Sequence, residues 1–128
     1  MQAREIPQSA WRDFLDNLST LHEDWITTIQ NGDRVEAREL PLVGIGFDEK
    51  GSGSREIEIE VGGDPSDQLT HIIEGPHRLL FSQTEDESRL ELEIDAAHGQ
   101  KTVVRLRRAT RDELPEKPKR DRARRAAE

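Results

Sequence analysis

Leu90-Glu91-Leu92-Glu93-Ile94-Asp95 alternates apolar and acidic residues at every position, and a second alternating run reaches residue 107 after Ala96-Ala97-His98-Gly99-Gln100. A period of two belongs to a strand with one buried and one wet face. If the two runs form an antiparallel hairpin, buried residues must face buried residues, and that condition selects the register. It places Leu92 opposite Val104 and Leu90 opposite Leu106. The outer face then pairs Asp95 with Lys101 and Glu91 with Arg105, which are favourable cross-strand charge pairs.

Glu56-Ile57-Glu58-Ile59-Glu60-Val61 alternates in the same way, and the segment before Lys50-Gly51-Ser52-Gly53-Ser54 supplies its partner. The matching register sets Val43 against Val61, Ile45 against Ile59 and Phe47 against Ile57. Its outer face pairs Gly44 with Glu60, Gly46 with Glu58 and Asp48 with Glu56, and no local cation is in view. Asn31-Gly32 predicts a further hairpin between Trp25–Gln30 and Asp33–Leu40, closed by a type I′ turn. Leu69–Ile73 and His77–Thr84 are two more strand candidates, separated by Glu74-Gly75-Pro76.

Upstream the period changes to that of a helix. Trp11, Phe14, Leu15 and Leu18 form one apolar stripe, with Arg12, Asp13, Asp16 and Asn17 on the opposite face. The spacing predicts a helix over about residues 8–19, started by Pro7 and ended by the backbone competition of Ser19-Thr20. The expected fold class is α+β, with this N-terminal amphipathic helix packed on a seven- or eight-stranded antiparallel sheet or open barrel, meander-like in connection.

The chain has 128 residues, of which 32% are hydrophobic and 36% charged, so one economical core with a heavily solvated shell is expected. Residues 1–114 form the expected domain. Residues 115–128 contain no large apolar side chain and read as a basic, disordered tail. The net charge of −8 conceals an asymmetry: the tail holds six Lys/Arg against three Asp/Glu, so the rest holds 13 against 24, a net of −11. Such a body repels phosphate backbones and favours basic partners or cations. With no cysteine, disulfides, thiolate zinc sites and cysteine nucleophiles are excluded. No apolar run is long enough to cross a bilayer and no signal-peptide layout opens the chain, so a cytoplasmic location without membrane contact is expected.

Enzyme motifs fail on inspection. Gly51-Ser52-Gly53-Ser54 is not a nucleophile elbow, and Gly44-Ile45-Gly46 meets Glu49 where a dinucleotide fingerprint needs its third glycine. The strand carboxylates point to water, whereas acid–base catalysis requires partial burial. No motif asks for a metal or a cofactor, and the expectation leans away from an enzyme. Two surfaces stand out. Asp48, Glu56, Glu58 and Glu60 form a ladder of like charge beside two glycines, a candidate interaction face. Trp11, Trp25, His71 and His77 are the candidates for a small-ligand or metal pocket between helix and sheet. The Arg-rich tail allows a nucleic-acid association, which the acidic body and the shortage of aromatic stacking platforms oppose.

Arg4-Glu5-Ile6-Pro7, Trp11, Phe14-Leu15-Asp16, Ser19, His22, Trp25, Val35-Glu36-Ala37-Arg38, Leu40-Pro41-Leu42, Ile57-Glu58-Ile59, Gly62, Leu69-Thr70-His71 and Pro76 resemble a family of short uncharacterised bacterial proteins, a domain of unknown function. The resemblance covers about residues 1–107 and implies a bacterial, cytoplasmic protein without assigning catalytic residues. The expected function is a non-enzymatic protein-interaction or binding module, acting on a protein partner or as a homo-oligomer.

Overall fold

The computed structural model describes residues 2–51, 53–64 and 66–113; the tail expectation at 115–128 lies outside them. The helical stripe forms a 3-10 turn at Gln8–Ala10 and then α1, Trp11–Leu21. The helix outlasts its expected end because neither hydroxyl competes there. Thr20 Oγ1 donates to the Asp16 carbonyl, and Ser19 turns its hydroxyl towards a strand.

The strands are β1 (Arg4–Glu5), β2 (Ile26–Asn31), β3 (Arg34–Glu49), β4 (Arg55–Val61), β5 (Leu69–Glu74), β6 (Arg78–Gln83), β7 (Arg89–Asp95) and β8 (Lys101–Arg107). They form one open antiparallel sheet in the order β1-β6-β7-β8-β2-β3-β4-β5. Two meanders, β2 to β5 and β6 to β8, are joined by the pairing of β8 with β2. β3 carries the turn between the two parts: residues 34–41 pair with β2 and residues 42–49 with β4.

The register of β7 and β8 is the expected one at all four positions. That of β3 and β4 is as expected from Gly44–Glu60 to Asp48–Glu56, but Val61 faces Leu42 instead of Val43. The cause is a bulge. Leu42 is tied to the segment before β2, donating its N–H to the Trp25 carbonyl at 2.8 Å and accepting from Asp24 N–H at 2.9 Å. This brings Leu42 inward (1% exposed) and leaves Val43 43% exposed. The first hairpin also differs by one residue. Asn31 pairs with Arg34, so the loop is Gly32-Asp33 with positive φ (61°) at Gly32 alone, the pattern of a type II′ turn.

One core fills the inside of the curve. Trp11, Leu15 and Leu18 of α1 pack with Ile45, Ile57, Ile59 and Val61 on one side and Leu79, Leu92, Ile94 and Val104 on the other. Each such side chain stabilises the fold by about 1.5–3 kcal/mol relative to exposure. Trp11 keeps its polar atom satisfied, donating Nε1–H to the Ile6 carbonyl at 2.8 Å, and meets the Phe47 ring edge-on at 5.5 Å. Among the described residues, no helix is long and apolar enough to cross a membrane.

Candidate functional site

β3, β4 and β5 present their outer residues as three rows: Gly44–Glu60–Thr70, Gly46–Glu58–Ile72 and Asp48–Glu56–Glu74. The alternation that buries Ile57, Ile59 and Val61 forces the glutamates between them outward, and antiparallel pairing sets them beside their neighbours. The result is an acidic face whose third row sets three carboxylates abreast. Like charges directly opposite one another destabilise a sheet unless something relieves them.

One local cation does so in part, contrary to the expectation of none. Lys50 Nζ lies 3.4 Å from Asp48 and 3.7 Å from Glu56. Glu56 first and Asp48 next hold its ammonium above the ordinary lysine range. Its position explains the contact, since residue 50 has the same strand parity as residue 48, and its N–H bonds to the Ser54 carbonyl at 2.8 Å to open the turn. Asp48, Glu56 and Glu58 also bring one oxygen each within 4.8 Å of one another. With Lys50 already against two of them, this cluster reads as an ion-paired surface.

The glycines leave bare backbone beside the acids. A Cβ at Gly46 would meet nothing within 4 Å, and one at Gly44 only the Ser19 hydroxyl at 3.9 Å. A shallow cleft of about 360 Å3 lies over them, between Asp16 and Thr20 of α1 and Glu58 and Glu60 of β4. Asp16 thus extends the acidic face onto the helix, a junction that the separate helix and strand periodicities do not reveal.

The residues expected to line a pocket go to separate places. Trp11 is fully buried in the core. Trp25 is half-buried, with the His22 ring edge-on at 4.4 Å and the Arg108 guanidinium 5.4 Å from its centre. His71 sits half-buried on β5, where desolvation lowers its pKa and Glu36 partly opposes the shift. His77 is exposed and opens on a cleft of about 580 Å3 shared with Arg55, Glu74 and His98. Between helix and sheet, the space is occupied by Trp11, Leu15 and Leu18 themselves.

The outer face of β7 and β8 differs in kind. Arg105 Nε lies 3.5 Å from Glu91, Lys101 Nζ 3.0 Å from Glu93, and Arg78 reaches Asp95 at 3.8 Å from β6. Beyond β8, Arg107 donates to both oxygens of Glu113 at 2.8 Å. Those bonds, with a further one from Thr110 N–H, lower the Glu113 pKa to about 2.

The edges of the sheet are handled in three ways. The half of β3 that β2 does not cover is capped by α1: Ser19 Oγ donates to the Ile45 carbonyl at 2.7 Å and accepts from Ile45 N–H at 2.6 Å, and Arg12 donates to the Phe47 carbonyl at 3.2 Å. β6 is covered by β1, followed by a bond from Ile6 N–H to the Leu79 carbonyl at 2.8 Å. β5 ends the strand order, and among the described residues nothing pairs with its outer side.

No curated protein and no solved structure matches the chain. A family model does, over residues 2–117, ten residues further at the C-terminal side than the resemblance read from the sequence. That match spans every element of the sheet and helix just described, and the chain belongs to the family of unknown function DUF5335.

Proposed function

We propose that the protein is a non-enzymatic interaction module whose acidic face on β3, β4 and β5 receives a basic segment of a protein partner. One observation carries this reading: Asp48, Glu56, Glu58, Glu60 and Glu74 share one surface on which Lys50 is the single cation paired with them among the described residues. Unrelieved like charge on a sheet face costs stability, and a basic partner converts that cost into attraction and a faster encounter. The bare backbone at Gly44 and Gly46 supports the same reading, since among the described residues only the Ser19 hydroxyl, 3.9 Å from a Cβ at Gly44, comes near the space above it. A cytoplasmic setting in a bacterial cell belongs to this proposal.

The test replaces Glu56, Glu58 and Glu60 by lysine. Capture from host extract, oligomeric state and thermal stability are then compared with the parent. The reading expects captured proteins to be lost while the fold persists. An unchanged capture profile together with unchanged stability and oligomeric state would show that this face binds nothing.

A further inference from the structure

We propose that β5 is the docking strand: an extended peptide adds antiparallel to its outer side as a ninth strand, presenting a basic, an apolar and a basic side chain at alternate positions. This rests on the acidic-face reading and specifies how the partner engages it.

The hydrogen-bond phase of the sheet identifies the groups available. Lys50 N–H bonds to the Ser54 carbonyl, so the even-numbered residues of β4 bond towards β3. Gly75 N–H bonds to the Arg55 carbonyl at 3.0 Å, so the odd-numbered residues of β4 bond towards β5. Leu69, His71 and Ile73 return those bonds. The N–H and C=O groups of Thr70, Ile72 and Glu74 therefore face outward, and no described residue bonds to them. Proteins blunt such edges with proline, lysine, bulges or a covering element. Here α1 covers β3 and β1 covers β6, whereas β5 has a regular register, neither proline nor lysine, and an Ile72 that is 48% exposed.

Charge decides the occupant. The same Thr70, Ile72 and Glu74 put their side chains on the acidic face, beside Glu60, Glu58 and Glu56 in turn. A strand added there sets one residue opposite each. A lysine or arginine opposite Glu74 meets a row of three carboxylates. A second one opposite Thr70 reaches across the short threonine towards Glu60. The residue between them covers Ile72 and gains by being apolar. Main-chain bonds give such a complex its affinity and the alternate side chains its specificity. A second copy fits poorly, because pairing β5 with its own symmetry mate brings both sets of Glu56, Glu58, Glu60 and Glu74 onto one continuous face. The chain's own Arg120-Asp121-Arg122-Ala123-Arg124 carries arginine, not an apolar residue, at the middle of its alternate basic positions.

The test uses the full chain and a labelled synthetic peptide, Ser-Thr-Lys-Thr-Val-Thr-Lys-Thr-Ser, followed by fluorescence anisotropy. Saturable binding is expected, with slowed amide exchange at Thr70, Ile72 and Glu74. N-methylation of the valine removes a donor aimed at β5 and should weaken binding at least about tenfold. Methylating the two threonines that flank the valine points the change away and should leave affinity within about twofold. Ile72→Pro deletes an outward N–H at an edge where proline is tolerated and should abolish binding, with thermal melting checking the fold. The methylated peptides give the answer even if that variant does not fold.

Equal binding of both methylated peptides, combined with loss in Glu58→Lys/Glu60→Lys, would overturn strand addition and leave the acidic-face reading standing. No binding of the parent peptide at any salt would overturn both. A dimer held through β5, or a higher affinity after removal of residues 115–128, would assign the edge to a second copy or to the tail and so overturn the basic-peptide assignment.

Discussion

The outer faces of β4 and β7 look alike as sequence, each a strand of acids between buried aliphatics, yet they differ in what stands beside them. Glu91, Glu93 and Asp95 of β7 find Arg105, Lys101 and Arg78 on adjacent strands. Glu58 and Glu60 of β4 find Gly46 and Gly44 on one side and Ile72 and Thr70 on the other. The same alternation thus yields a self-satisfied surface in one place and an unsatisfied one in the other. A strand's own pattern fixes which residues are wet; its neighbours fix whether the wet residues still need a partner.

The inner faces provide the reference for this contrast, because there the two strands should behave the same. Ile59 and Leu92 are both fully buried in the common core. Ile59→Ala and Leu92→Ala should each destabilise by about 2–5 kcal/mol in chemical denaturation. A loss below about 1 kcal/mol for either would separate the two inner faces and weaken the comparison at its base.

A smaller effect is expected at the helix that covers β3. Ser19→Ala leaves the Ile45 N–H and C=O without their partner and should cost about 1–3 kcal/mol, with faster amide exchange at Ile45. Exchange at Ile45 as slow as in the parent would mean that the helix does not protect this edge through Ser19.

Smaller again is the difference between the outer faces themselves. Arg105→Glu should destabilise by about 0.2–1 kcal/mol, because it breaks the pair with Glu91 and sets like charges opposite one another. Glu58→Lys should be neutral or stabilising, since it removes repulsion on its own face. Thermal melting of the two variants side by side reads the sign, and equal losses would abolish the distinction.

A pH effect is expected beyond the paired face. Glu113 titrates near pH 2 in the folded protein, below its usual 4.5, because Arg107 and Thr110 N–H bond to the ionised carboxylate. A depressed folded-state pKa contributes stability above the unfolded value and loses it as pH falls through the folded one. The contribution should therefore fade between about pH 4.5 and 2, and Glu113→Gln should flatten the stability curve in that window. A Glu113 carboxyl titrating at 4.5 by NMR would show that the Arg107 bond is not formed in solution.

Much of this contrast is legible from residues alone. Alternation combined with the demand that buried face buried gave four correct pairs in β7–β8 and five in β3–β4. The bulge at Val43 was hidden because Leu42 and Val43 are equally apolar, and what selects between them is the bonding of Leu42 to Trp25 and Asp24 from another part of the chain. Lys50 was readable in retrospect, having the parity of Asp48. The free edge was not readable. Which strand ends a sheet depends on the pairing of β8 with β2 and of β1 with β6, and such non-local pairs leave no turn signature in the sequence. Residue type alone, without a register to place the side chains, does not say whether Trp11, Trp25, His71 and His77 converge.

The β4 face, and not its look-alike on β7, is the surface proposed to receive the basic segment. Titrating the Ser-Thr-Lys-Thr-Val-Thr-Lys-Thr-Ser peptide against Glu58→Lys/Glu60→Lys and against Glu91→Lys/Glu93→Lys under identical salt separates the two faces. Binding should be lost in the first variant and kept within about threefold in the second, where screening beyond about 10 Å leaves only a weak residual effect. Equal loss in both would mean that the peptide responds to net charge alone and does not bind at the β4 face.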